Sequence, residues 1–201
     1  MSTKDRDTRS LILEAARRLF ERAVTEPVRL VDVAREAGIS RQAVYLHFDS
    51  RARLLLALVR HVDEVHGLEA QVGDAVAGSD GAEALRRFIK VWGTYVRRID
   101  GIAYAMHHLA HTDTEAAAAW NERMQLFRKL CRGFAAALHS EGNLAAGWTI
   151  DSAADLLWSM LSIRTWRELV LERRWSMTRY IEHMTRAVER TFVCPQGKDP
   201  S

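Results

Sequence analysis

Apolar residues return every three or four positions along nearly the whole chain, and no stretch alternates with a period of two. That spacing lines one face of a helix and leaves nothing for a sheet to use. From Thr8 to Arg22 the face is Leu11, Ile12, Ala15, Ala16, Leu19 and Phe20, with Thr8 as N-cap. Val31, Val33, Ala34 and Ala37 mark a second, short helix ending at Gly38, a residue suited to a left-handed C-cap. Ser40 caps a third helix to about His47, and Ser50 a fourth, from Arg51 towards Gly67 and Gly73. Asp80 with Glu83 reads as a capping box that opens a helix to about Arg98. Asp100-Gly101 reads as a turn, followed by a short helix to His111. Asp113 then caps a long helix ending near Glu141-Gly142-Asn143. Two more are expected from about Thr149 to Arg173 and from Ser176 to Phe192. The expected fold is all-α, with about nine helices.

The rest of the composition fits a packed helical protein. Of 201 residues, 48% are hydrophobic and only 3 are proline, which favours a packed, mostly helical globule over disorder. No apolar run reaches the roughly 18 residues that a membrane span needs. The opening MSTKDRDTRS is charged and lacks an apolar signal core, so a cytoplasmic protein is expected. Cys131 and Cys194 are far apart and read as reduced thiols. The net charge of +3 is uneven: residues 1–60 hold 12 Lys or Arg against 8 Asp or Glu, hence +4, and the remainder hold 17 against 18, hence −1. A basic first third fits a nucleic-acid footprint or, equally, a solvated basic face.

Between the second and third helices lies GISRQAVYLHF, residues 38–48. Two short helices joined by Gly38-Ile39-Ser40 form a helix-turn-helix signal. At 1.5 Å per residue the second of them is roughly 12 Å long, which suits a major groove about 12 Å wide. Its first turn carries Ser40, Arg41 and Gln42, which can bond base edges or phosphates; Arg pairs well with guanine and Gln with adenine. Ala43 permits close approach, and its methyl can touch thymine. Tyr45 and His47 can reach phosphates, while Val44 and Phe48 plug the module's own core. Arg51 adds a phosphate partner at the start of the next helix. The competing reading is a helical hairpin with a polar face.

The segment LILEAARRLF…LVDVAREAGISRQAVYLHFDSRARLLLALV resembles the DNA-binding module of the tetracycline-repressor (TetR) family over residues 8–60. The matching pieces, in order, are Ala15-Ala16, Leu19-Phe20, Asp32-Val33-Ala34, Ala37-Gly38-Ile39-Ser40 and Tyr45-x-His47-Phe48 followed by Arg51. The resemblance implies that Arg41, Gln42 and Ala43 face base edges and that Tyr45, His47 and Arg51 hold phosphates. Arg29 stands where the family commonly has a phosphate-contacting threonine. Ala23 replaces a usual glycine, and Thr25-Glu26-Pro27 lengthens that connection. The expected organisation is a DNA-binding domain over 1–55, a ligand-binding and dimerisation domain over 56–193, and a disordered tail over 194–201.

In the body, the last two helices are candidates for a dimer interface: Leu157, Met160 and Leu161 on one, Tyr180, Met184 and Val188 on the other, with apolar content broad enough to face two sides. The resemblance implies that they pair with their mates as a four-helix bundle; the alternative is a monomer that closes its own core. Trp92, Tyr95, Met106, Trp120, Met124, Phe127 and Trp158 are candidates to line a pocket for a small, largely apolar ligand, or else are ordinary core. His107 and His111 share a helix face at a spacing able to hold zinc, but no HExxH pattern or completing ligand accompanies them, so no metal or other cofactor is expected. The expected function is a sequence-specific transcriptional regulator, a repressor released from a palindromic double-stranded operator by its ligand. The alternatives are a helical protein-interaction module without DNA binding and, less favoured, a small-molecule enzyme, for which no phosphate loop or nucleophile elbow is present.

Overall fold

The computed structural model describes residues 3–22 and 28–194. Their regular structure is helical, apart from one isolated bridge between Leu144 and Val193. The helices are α1 (Thr3–Arg22), α2 (Leu30–Ala37), α3 (Arg41–His47), α4 (Arg51–His66), α5 (Leu68–Val76), α6 (Gly81–Leu109), α7 (Thr114–Ser140), α8 (Ile150–Met160), α9 (Ile163–Trp166) and α10 (Met177–Phe192). A six-residue π turn, Arg167–Glu172, follows α9. The fold class is the one that the periodicity implied. Ala23 and Thr25-Glu26-Pro27 lie outside the described residues, as does the tail beyond Cys194. Cys131 is buried and Cys194 half-buried, and neither forms a disulfide.

Contacts divide the chain into two compact units. The first takes the residues up to Gly67 together with 98–122; the second takes 68–97 and everything from Arg123. In the first, Ile12, Ala16 and Phe20 of α1, Val33 of α2, Val44 of α3, and Leu54, Leu55 and Leu58 of α4 are all buried. Each of these except Ala16 contributes about 1.5–3 kcal/mol relative to exposure. Charged pairs stitch the rim. Glu36 of α2 accepts from Arg18 at 3.0 Å and Arg22 at 2.8 Å on α1, and His61 Nε2 of α4 lies 2.8 Å from Glu14 Oε1 of α1.

Several expected boundaries move. α1 starts five residues before Thr8, because nothing in Lys4–Asp7 breaks a helix. α4 stops at Gly67, whose φ of 52° closes it, and α5 runs on through Gly73. Asp100-Gly101 is no turn: α6 passes straight through it. Glycine inside a helix costs about 1 kcal/mol, which the burial of Ile99, Ile102 and Met106 on that stretch offsets. The expected helix from Thr149 to Arg173 is broken after Met160. There Ser162 is extended, and its Oγ accepts from Thr165 N at 3.1 Å. Thr165 Oγ1 in turn donates to Ser159 O at 3.0 Å. These local side-chain bonds compete with the helical ladder.

The second unit is held by aromatic stacking and two close approaches. Phe88 stacks on Phe134 with centroids 4.7 Å apart, and Trp92 on Phe127 at 4.4 Å. A Cβ at Gly81 would lie 3.0 Å from Leu138 N, and one at Gly93 2.8 Å from Ile181 Cγ1. Gly93 admits only hydrogen where α6 meets α10, and Gly81 leaves little room for more where α6 meets α7.

Candidate nucleic-acid interface

The turn before α3 is built by three consecutive residues. Gly38 takes a φ of 68°, its amide donates to Arg35 O at 3.2 Å, and Ile39 N donates to Ala34 O at 3.1 Å. This pair of bonds is the Schellman closure, which needs a left-handed residue. Ser40 then caps α3, its Oγ accepting from Ala43 N at 3.1 Å.

Val44 and Phe48 fix the rotation of α3 by burying themselves in the module, at 0% and 3% exposure. Arg41, Gln42, Tyr45 and Leu46 are thereby left outside, two pairs each four residues apart on one exposed face. Ala43 and His47 flank it, half-buried. Arg41 is preorganised: Nη2 donates to Tyr45 Oη at 3.3 Å, and its guanidinium carbon lies 5.2 Å from the Tyr45 ring centroid. At the start of α4, Arg51 is half-buried, and its Nε has no hydrogen-bond partner among the described residues. Burial depresses its pKa below the ordinary value, yet a guanidinium stays charged at neutral pH. Such a cation lacks an anion, and a phosphate oxygen would supply one.

Arg29 is placed differently from the other cations. It precedes α2, where its Nε donates to Asp32 Oδ2 at 3.1 Å and its backbone N donates to the same oxygen at 3.2 Å. Those bonds hold the Asp32 carboxyl below the usual carboxylate range. A phosphate reaching Arg29 competes with that carboxylate.

Sequence reasoning missed two residues here. Leu46, on the outer face, is 85% exposed. The phase set by Val44 and Phe48 was a sufficient signal for it. Arg9 lies with its guanidinium carbon 5.3 Å from the Phe48 ring centroid, a cation beside α3 that no local spacing announces.

Residues 12–58 match the family model described as bacterial regulatory proteins, tetR family. Over 171 residues the chain is 27% identical to the HTH-type transcriptional regulator TtgR of Pseudomonas putida, covering 80% of each. It is 27% identical over 157 residues to the probable regulator ArpR of the same species, covering 74% of this chain and 73% of that one. Residues 12–58 thus carry a tetR-type module, and the chain as a whole is similar to regulators of that kind.

The likeness of fold extends through the body. A regulator from Saccharomonospora viridis solved in complex with choline superposes with a TM-score of 0.80 at 20% identity, over 93% of this chain and 98% of that one. NalD of Pseudomonas aeruginosa, the secondary repressor of the MexAB-OprM multidrug efflux pump, gives 0.66 at 24% identity, over 96% and 100%. Both curated relatives are described as HTH-type transcriptional regulators, one of them as a probable one.

The candidate ligand residues fall in both units. Trp92 and Tyr95, buried, and Phe127, half-buried, form one ring cluster in the second unit, where Met124 and Trp158 are also half-buried. Met106, buried, and Trp120, half-buried, belong to the first. The second unit also holds an apolar cavity of about 10 Å³ lined by Leu85, Leu138, Leu157 and Phe192, room for a single water at most. His107 packs edge-on to His111 at 5.0 Å and to Trp120 at 5.1 Å. Among the described residues no group of three or more His, Cys, Asp or Glu is placed to hold a metal. Leu157, Leu161, Tyr180, Met184 and Val188 are buried within the protomer, and Met160 is half-buried. Leu156, Trp158 and Ile181 stand on more open faces of α8 and α10. No described helix is long and apolar enough to cross a membrane.

Proposed function

We propose that this chain is a TetR-family regulator that binds a palindromic operator as a two-fold dimer, reads it with α3, and leaves it when a small, largely apolar ligand occupies the helical body. The observation that carries the reading is the outer face of α3. Its two anchors are buried, and Arg41 and Gln42 project where base edges would lie. Tyr45, His47 and the partly desolvated Arg51 sit where a backbone phosphate would meet them, and Leu46 adds an apolar contact suited to a thymine methyl.

One helix of 7 residues spans only a few base pairs, so two copies are needed for a usable site. The open faces of α8 and α10 are the surfaces we assign to pairing. The ligand acts by preferring a state in which the two reading helices are mis-spaced, and it shifts the equilibrium only by its difference in affinity for the two states. The protein operates in the cytoplasm in this reading.

Selection of bound fragments from random-sequence DNA tests the proposal. Inverted repeats with half-sites about 34–36 Å apart are expected. Fragments without shared sequence, or with a single unpaired half-site, would overturn it.

A further inference from the structure

Between α8 and α9 the backbone leaves the helical path at essentially one residue. Leu161 has φ −93° and ψ 10°, Ser162 has φ −63° and ψ 151°, and the chain is helical again from Ile163. A swing of the Ser162 ψ by about 170°, to its helical value, with a smaller adjustment at Leu161, would join the two helices into one. The local sequence sides with that joined form, since residues 150–173 contain no Gly or Pro and the apolar spacing runs on through the break.

In a continuous helix Thr165 N would donate to Leu161 O, four residues back. Both halves of that bond are diverted here. Thr165 N donates to Ser162 Oγ at 3.1 Å, and Leu161 O accepts from Trp92 Nε1 at 2.8 Å. Thr165 Oγ1 donates to Ser159 O at 3.0 Å, a further bond that belongs to the broken form. Either form satisfies the Thr165 amide and the Leu161 carbonyl, with different partners. Two arrangements that satisfy the same backbone groups make a two-state element rather than a fixed kink. Of the bonds that hold the broken form, only the one from Trp92 comes from outside the segment.

The swing would move the pairing face. Leu156, Met160 and Ile163 are four and three residues apart, the spacing of a bundle seam, and none of them is buried in the protomer. On a continuous helix they form one stripe; the break at Ser162 divides it. The Trp92 ring meanwhile stacks on Phe127 at 4.4 Å, within the ring cluster, so a molecule that parts the two rings draws Nε1 away from Leu161 O. We propose that Ser162 is a hinge and Trp92 its latch. The latched, broken helix is the operator-binding form. An apolar effector that separates Trp92 from Phe127 frees the Leu161 carbonyl, joins α8 to α9 and re-aims the pairing stripe, which mis-spaces the reading helices. The inference rests on the reading that a ligand in the body releases the operator, and it names the regulation of that site.

Spin labels on Asp155→Cys and Glu172→Cys, on either side of the hinge, test it in the full-length protein carrying Cys194→Ser. Cys131 is buried, with its thiol pushed up to about 12, and escapes labelling. Labelled chains are diluted with unlabelled ones, so that each distance is measured within one protomer. Ser162→Ala removes the hydroxyl that holds the Thr165 amide, and Trp92→Phe removes the donor while keeping a ring against Phe127. Together they are expected to shift the distance distribution and to weaken binding to the selected operator about tenfold, with scrambled DNA bound as before. Adding Ile163→Pro should return both to the parent's values, because proline suits the first position of α9 and denies Ser162 a helical ψ. Mere damage to packing would not be repaired by that third change. Ser162→Ala alone, which leaves Trp92 in place, should move part of the distribution. An unshifted distribution in either variant, operator affinity that keeps the parent's value despite a shifted distance, or no recovery with Ile163→Pro overturns the proposal. A parent that selects no operator sinks the operator reading, and the label distances then decide the hinge by themselves.

Discussion

Arg41 and Gln42 face outward for a reason that lies in other residues. Val44 and Phe48 take the inward directions, and the 100° step between helical residues does the rest. This separates two kinds of side chain by what their loss should do. Arg41→Ala or Gln42→Ala is expected to cost about 1–3 kcal/mol at the selected operator and much less on scrambled DNA. Competition gel shifts at fixed salt measure the difference; equal losses on both DNAs would remove these residues from base reading. Leu46→Ala should leave Tm nearly unchanged at its exposure of 85%, so any loss of operator affinity in that variant reports a DNA contact. The reading face was legible in the sequence because it depends only on helical phase. The fate of Arg29 was not, since its pairing with Asp32 depends on how the chain enters α2.

Helices begin where side chains can cap them, and the caps at Ser40, Ser50, Asp80, Asp113, Thr149 and Ser176 lie where spacing implied. Two interior judgements failed for opposite reasons. At Asp100-Gly101, burial on both sides overrides two residues that favour turns. At Leu161-Ser162, an apolar periodicity that continues unbroken is overridden by hydroxyls and by Trp92, which takes the Leu161 carbonyl. Gly93 makes the same point testable. Alanine is the better helix former by about 1 kcal/mol, yet Gly93→Ala should lower stability by about 1–3 kcal/mol, because its methyl meets Ile181 at 2.8 Å. Urea unfolding of Gly93→Ala with and without Ile181→Ala checks this, the second change restoring part of the loss. Between α1 and α4, the hydrogen bond from His61, opposed by burial and aided by Arg17, holds the Glu14 carboxyl below its ordinary value. A depressed carboxylate stabilises the fold above its unfolded pKa, near 4.3, and that contribution disappears as pH falls through the folded pKa. Tm curves of the parent and Glu14→Gln should therefore separate at neutral pH and converge below about pH 4; parallel curves would contradict the pairing.

Across the whole molecule, operator binding should be steeply salt-dependent, because phosphate contacts release counterions. In a two-fold dimer each substitution acts twice, so Arg51→Ala should reduce the slope of log affinity against log salt by about two and weaken all sequences alike. A slope that stays the same would place Arg51 outside the phosphate contacts. The sequence by itself determined the helical class, the helix-turn-helix signal and the outward set of α3. Those follow from period, caps and phase, which act over a few residues. Tertiary structure alone decided that α6 runs unbroken, that α8 is cut short, and that glycines mark the close approaches at Gly81 and Gly93. Each of these is set by a partner far away in the chain, and a distant partner leaves no mark on local spacing.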